Sequence, residues 1–94
     1  MASVTVTVGS KVGLHARPAS LFVQAAARQP VAVTIAKVGG EPVDARSILS
    51  VLGLDAHGGD EVVLTADGEG ADQALAELAA VVTVDHDAPA PTGP

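Results

Sequence analysis

The stretch Gly13-Leu14-His15-Ala16-Arg17-Pro18 places an imidazole, a guanidinium and a proline side by side, and each suits the handling of an anion. Apolar residues recur at helical spacing from Pro18 onward, so His15 stands at the entry of a helix. The first amides of a helix have no intrahelical acceptor and lie at the positive end of its dipole, which makes them an anion site. Pro18 gives up only an N–H that would have gone unpaired, and leaves the amides of Ala16 and Arg17 to face an anion. A neutral imidazole is a nucleophile, and the helix end disfavours its protonated form while favouring a phosphoryl group bound to it. Arg17 adds a fixed charge with several donors, suited to the spread charge of a phosphoryl group in transfer. Stability alone explains the stretch poorly, because Ser, Thr, Asp or Asn caps a helix better than His.

The other polar candidates are weaker. His57 and His86 have no metal-ligand spacing with a second strong ligand, so His57 reads as a loop residue and His86 as part of the tail. Asp67, Glu69 and Asp72 cluster near a turn without the calcium-loop pattern and read as solvated charges. No metal site and no cofactor is expected.

The 94-residue chain has room for one small core. It is 48% hydrophobic with Phe22 as its one aromatic, so that core must be built from Val, Leu, Ile and Ala. It has no cysteine, which excludes disulfides and thiolate metal sites and points to a cytoplasmic protein. Neither a leader nor a membrane-spanning run is legible. A net charge of −6, with Lys11, Arg17, Arg28, Lys37 and Arg46 scattered along the chain, argues against nucleic acid as a partner.

The elements that must position His15 follow from periodicity. Val4, Val6 and Val8 alternate with Thr5 and Thr7, predicting a strand over 2–8. Pro18, Leu21, Phe22, Ala25 and Ala26 predict a helix over 16–28, with Pro30 beyond its exit. Val31, Val33 and Ile35, the Gly39-Gly40 turn and Glu41-Pro42-Val43 read as a hairpin. Ile48, Leu49, Val51 and Leu52 form a short helical stripe, and 61–66 another strand. Ala71, Ala74, Leu75, Leu78, Ala79 and Val82 trace the buried face of a final helix. The order βαββαβα predicts an α+β, two-layer open-faced sandwich: a four-stranded, largely antiparallel sheet with three helices on one face. Residues 1–84 make the domain, and the acidic, Ala- and Pro-rich 85–94 a flexible tail.

Gly13-Leu14-His15-Ala16-Arg17-Pro18-Ala19-Ser20 resembles without a mismatch the active-site signature of the HPr family, the histidine phosphocarriers of the bacterial phosphoenolpyruvate-dependent sugar phosphotransferase system. A second block, Arg46-Ser47-Ile48-Leu49-Ser50-Val51-Leu52-Gly53-Leu54, is similar to that family's regulatory-serine region. The resemblance runs from about Val4 to Val84, and the family has the same element order.

The resemblance implies a carrier rather than an enzyme with turnover of its own. His15 would take phosphate on Nδ1 from enzyme I, itself charged by phosphoenolpyruvate, and pass it to the IIA component of a sugar permease. Arg17 would have the family arginine's role, with the Ala16 and Arg17 amides on the phosphoryl oxygens. Ser47 matches the serine that HPr kinase phosphorylates in some bacteria, where the modified protein serves a catabolite-control regulator; its plainer role is to cap the short helix. Ala16, Arg17, Ser20, Ile48, Leu49 and Leu52 match the surface that docks enzyme I and IIA, with Val51 and Leu54 expected to turn inward. Three positions depart from the common pattern: Val12 where many members are polar, Gln24 where a basic residue is common, and Asp55 where Gly is frequent. A carrier that must expose its site to successive partners is expected to be a monomer.

Overall fold

The alternation in Ala2–Thr7 buries one side of the first strand, β1, against the protein and leaves Ser3, Thr5 and Thr7 exposed. The structure, a computed structural model, describes residues 2–9, 13–14 and 16–83. After β1 come α1 (Ala16–Ala27), β2 (Val33–Lys37), β3 (Val43–Asp44), α2 (Ile48–Gly53), β4 (Glu61–Ala66) and α3 (Ala71–Thr83). The strands form one sheet in the order β1-β4-β2-β3, with every neighbouring pair antiparallel. This is the βαββαβα open-faced sandwich that the sequence predicts.

Register explains the two faces. Val4 lies opposite Leu64 and Val6 opposite Val62, while Ile35 lies opposite Leu64 from the other side. This inner row meets the helices, and Phe22, Leu78, Ile35, Leu64, Val51 and Val62 are each fully buried. The outer row sets Ser3, Thr65 and Thr34 side by side, and next to them Thr5, Val63 and Ala36.

Three boundaries differ from expectation, each for a local reason. The first strand ends at Thr7 rather than Val8: Val8 is 2% exposed, and its N–H donates to the Asp60 carbonyl beyond the ladder. The first helix ends at Ala27 rather than 28, with the N–H groups of Arg28 and Gln29 turning back to the Ala25 and Ala26 carbonyls before Pro30. The hairpin's second arm is Val43–Asp44 rather than Glu41-Pro42-Val43. Pro42 has no N–H for the ladder, and pairing is confined to Ile35 with Val43 and Thr34 with Asp44. Val31, counted in the alternation, precedes β2 and packs half-buried against the core.

Candidate functional site

The chain enters α1 through a short segment held from both sides. Leu14 is 2% exposed and its N–H donates to the Ala56 carbonyl at 2.9 Å. Gly13 has φ +79°, and a Cβ there would stand 2.0 Å from the Ala56 carbonyl oxygen and 2.7 Å from the His57 Cα. Only glycine permits that approach. On the far side of position 15, Pro18 is buried in the first turn of α1, and Ala19 and Phe22 are fully buried below it. Position 15 is thus flanked by two anchors, while His15 itself lies outside the described residues.

Arg17 is exposed on the first turn of α1, and no described residue pairs with it. The first turn of α1 carries no acidic residue. Among the described residues, the positive helix end and the guanidinium therefore stand together with no carboxylate paired to the arginine. Ser20, one turn further, is half-buried and accepts a hydrogen bond from Gln24 Nε2 at 3.0 Å. Gln24, where the family pattern is often basic, is thereby occupied locally.

The platform under this segment is the loop 55–60, in which the sequence marks only His57 as a loop residue and Asp55 as a departure from glycine. Its Gly59 N–H donates to the Val8 carbonyl and its Asp60 carbonyl accepts from Val8, while Ala56 holds Leu14. The loop thus grips the chain on both sides of residues 9–13. Gly9 closes the same end: its N–H donates to the Val82 carbonyl, and a Cβ on it would lie 1.9 Å from the Thr83 carbonyl oxygen. Asp55 has φ +53°, the left-handed region that favours glycine, so its departure from the common Gly pattern carries backbone strain. His57 is an exposed loop residue, with Nε2 3.6 Å from Asp55 Oδ1 and Nδ1 3.7 Å from Asp60 Oδ2. The backbone N–H of His57, seconded by the charges of Lys37 and His57, holds the Asp60 carboxyl below the usual carboxylate range.

The second motif lies on α2, which packs against α1. Ser47 is its N-cap, with Oγ accepting from the Ser50 N–H at 3.3 Å. Ile48 is 39% and Leu49 79% exposed, Leu52 and Leu54 are half-buried, and Val51 is fully buried. The short helix thus has one face for the core and another turned outward. Among the described residues no group of three or more His, Asp or Glu could hold a metal ion, and no helix is long and apolar enough to cross a membrane. Lys11, Val12, His86 and residues 85–94 lie outside the described residues.

An antiparallel open-faced sandwich with an exposed arginine on the first turn of α1, next to position 15, defines the class of fold. The family model described as "PTS HPr component phosphorylation site" matches residues 2–83. The chain is 58% identical over 82 residues to the phosphocarrier protein HPr of Streptomyces coelicolor, covering 87% of this chain and 88% of that one. Its fold is similar to the crystal structure of HPr from Bacillus anthracis, with TM-score 0.81 and 41% identity, covering 86% of this chain and 95% of that one. It is also similar to Crh of Bacillus subtilis, with TM-score 0.67 and 45% identity, covering 87% and 93% of the two chains; that crystal structure is a domain-swapped dimer. The chain belongs to the HPr family, the phosphocarrier proteins of the phosphotransferase system.

Proposed function

We propose that His15 is the residue that carries the phosphoryl group, taking it from phosphoenolpyruvate-charged enzyme I and giving it to a sugar-specific IIA protein. The observation that carries this reading is Arg17: exposed, unpaired among the described residues, and set on a helix start without acidic residues. The lone pair of neutral His15 Nδ1 forms the new bond to phosphorus. The bond to the donor's leaving atom breaks, and its electron pair stays with the donor. Arg17 and the amides of Ala16 and Arg17 balance the charge on the three phosphoryl oxygens. The reverse sequence delivers the group, so the domain returns unchanged and has no turnover of its own.

Docking on this reading uses Ala16, Arg17 and Ser20 on α1 with Ile48, Leu49 and Leu52 on α2. Leu49, apolar and 79% exposed, is its natural anchor. The domain works as a cytoplasmic monomer, with residues 85–94 outside the phosphoryl chemistry. Sedimentation of a single 9.2 kDa species would support this, whereas a swapped dimer like that of Crh would put it aside.

Intact-mass spectrometry at mildly alkaline pH, after incubation with phosphoenolpyruvate and catalytic enzyme I, tests the central claim. One acid-labile phosphoryl increment is expected, and none in His15→Ala. An increment that persists in the variant overturns the assignment.

Regulation through Ser47 by an HPr kinase, read by a catabolite-control regulator, is the second reading. It is favoured by the likeness to Crh, whose solution structure is described as that of the catabolite repression HPr and shares 41% identity with this chain. An acid-stable increment from ATP and the kinase, absent in Ser47→Ala, is its test.

A further inference from the structure

Arg46, immediately before Ser47, is committed elsewhere. Its backbone N–H donates to Asp44 Oδ1 at 2.9 Å, its Nε to the same oxygen at 3.2 Å, and its Nη2 to Asp44 Oδ2 at 3.2 Å. The guanidinium thus meets the carboxylate in a two-pronged, side-on fork, the geometry with which arginine binds carboxylates and phosphates alike. The Ser47 N–H donates to the Asp44 carbonyl at 3.1 Å, so a tight turn brings Asp44, Arg46 and Ser47 together at the entrance of α2. Both ends of the ion pair are about half exposed, with side chains 52% and 49% accessible, which keeps the pair exchangeable.

We propose that Asp44 and Arg46 form a charge-exchange pair for Ser47: a phosphate on Ser47 takes Arg46 from Asp44, making Arg46 the positioning residue and Asp44 its competitor. The proposal rests on the reading of Ser47 as a modification site. The physical reason is competition for one cation. A phosphoserine brings a charge of about −1.5 to −2 and three acceptor oxygens against the single charge and two oxygens of Asp44. It would stand one turn away from a carboxylate that repels it while that carboxylate holds the adjacent arginine. Moving the fork from Asp44 to the phosphate satisfies the larger charge and leaves Asp44 facing water. The unmodified turn is locally neutral, because Asp44 and Arg46 cancel. The modified turn carries the full phosphate charge beside exposed Ile48 and Leu49. The same apolar surface would then present a different electrostatic partner to whatever docks there.

The test uses full-length protein with phosphoserine installed at position 47 during translation, so that no kinase is needed. The second phosphate pKa is read by 31P NMR titration in four proteins: the parent, Arg46→Gln, Asp44→Asn and the double variant. The Arg46→Gln change should raise that pKa by about 0.2 to 0.7 unit, the span an exposed ion pair supports. The Asp44→Asn change should lower it, and by clearly more when Arg46 is present than in the Arg46→Gln background. An equal Asp44→Asn shift in both backgrounds makes Asp44 a bystander charge and overturns the exchange. No response to Arg46→Gln overturns it as well. Retained amide spectra show that each variant is folded. Kinase labelling of the unmodified chain is a separate arm, and its failure removes Ser47 regulation while leaving the NMR result to stand or fall alone.

Discussion

Replacing Gly13 by Ala separates two effects that usually come mixed. Gly13 and Gly39 have nearly the same backbone, φ +79° and +84°, but a Cβ on Gly39 meets nothing within 4 Å whereas one on Gly13 meets the Ala56 carbonyl oxygen at 2.0 Å. The left-handed conformation costs an alanine roughly 1–2 kcal/mol at either site. Loss of glycine's freedom in the unfolded chain returns roughly 0.4–1 kcal/mol. Gly39→Ala should therefore destabilise by about 0–1.6 kcal/mol. At Gly13 the methyl group cannot be accommodated unless the Leu14 N–H to Ala56 bond opens. Leu14 is 2% exposed, so its N–H has little access to water and its loss adds about 1–3 kcal/mol. Urea unfolding of both variants at pH 7 should give equal m-values and a Gly13→Ala loss larger by that amount, several degrees in melting temperature for a domain of this size. At temperatures where both are folded, transfer from enzyme I should slow in Gly13→Ala and not in Gly39→Ala. Stabilities within about 0.5 kcal/mol of each other would refute the argument that the 55–60 loop grips the segment before His15.

Other perturbations address the core, the docking face, the cap and the charges. Phe22→Ala, at 0% exposure, should cost about 3–5 kcal/mol in urea unfolding. Leu49→Ala, at 79%, should stay within about 0.5 kcal/mol while raising the concentration of the domain needed to half-saturate enzyme I. Ser47→Ala removes the acceptor of the Ser50 N–H and should cost about 0.5–2 kcal/mol, read by the same unfolding assay without any kinase. The carboxyls of Asp44, bound by Arg46, and Asp60, bound by the His57 N–H, titrate below their ordinary values. Their contribution to stability is therefore complete above the unfolded pKa near 4 and is lost as pH falls through the lower folded values. The urea midpoint should decline from about pH 4 downward, and Asp60→Asn should flatten that decline.

Element order and face assignment were legible because they follow from short-range periodicity: the β1 alternation and the α3 stripe each mark a buried side within a few residues. The β3 boundary was less legible, since Pro42 withdraws a ladder donor and Arg46 turns Asp44 into a local acceptor, and neither effect shows in an apolar pattern. The exposed Ile48 and Leu49 beside buried Val51 were expected from family likeness; a hydrophobic stripe alone reads as core. The 55–60 loop was scarcely legible as a platform, because its role lies in Ala56, Gly59 and Asp60 bonds to residues far away in sequence. One signal did exist. Asp55 stands where glycine is common, and its positive φ shows why that position has a backbone requirement.

A carrier faces opposing demands at one residue: the phosphoryl group must be held firmly enough to survive between encounters and loosely enough to leave. The described parts divide these demands between different elements. Position along the chain is fixed by buried or close-packed groups, Gly13 on Ala56, Leu14 in the core and Pro18 in the first turn, which water and salt scarcely weaken. On the proposed reading, charge is supplied from the solvent side by Arg17, exposed and unpaired among the described residues, where attraction is modest and screened. A buried Arg17 paired to a carboxylate would be better ordered but would have its charge already spent. In the proposed role, an exposed Arg17 would leave one phosphoryl oxygen for a partner's donor at little cost, which is what reversible transfer between weakly docking proteins requires.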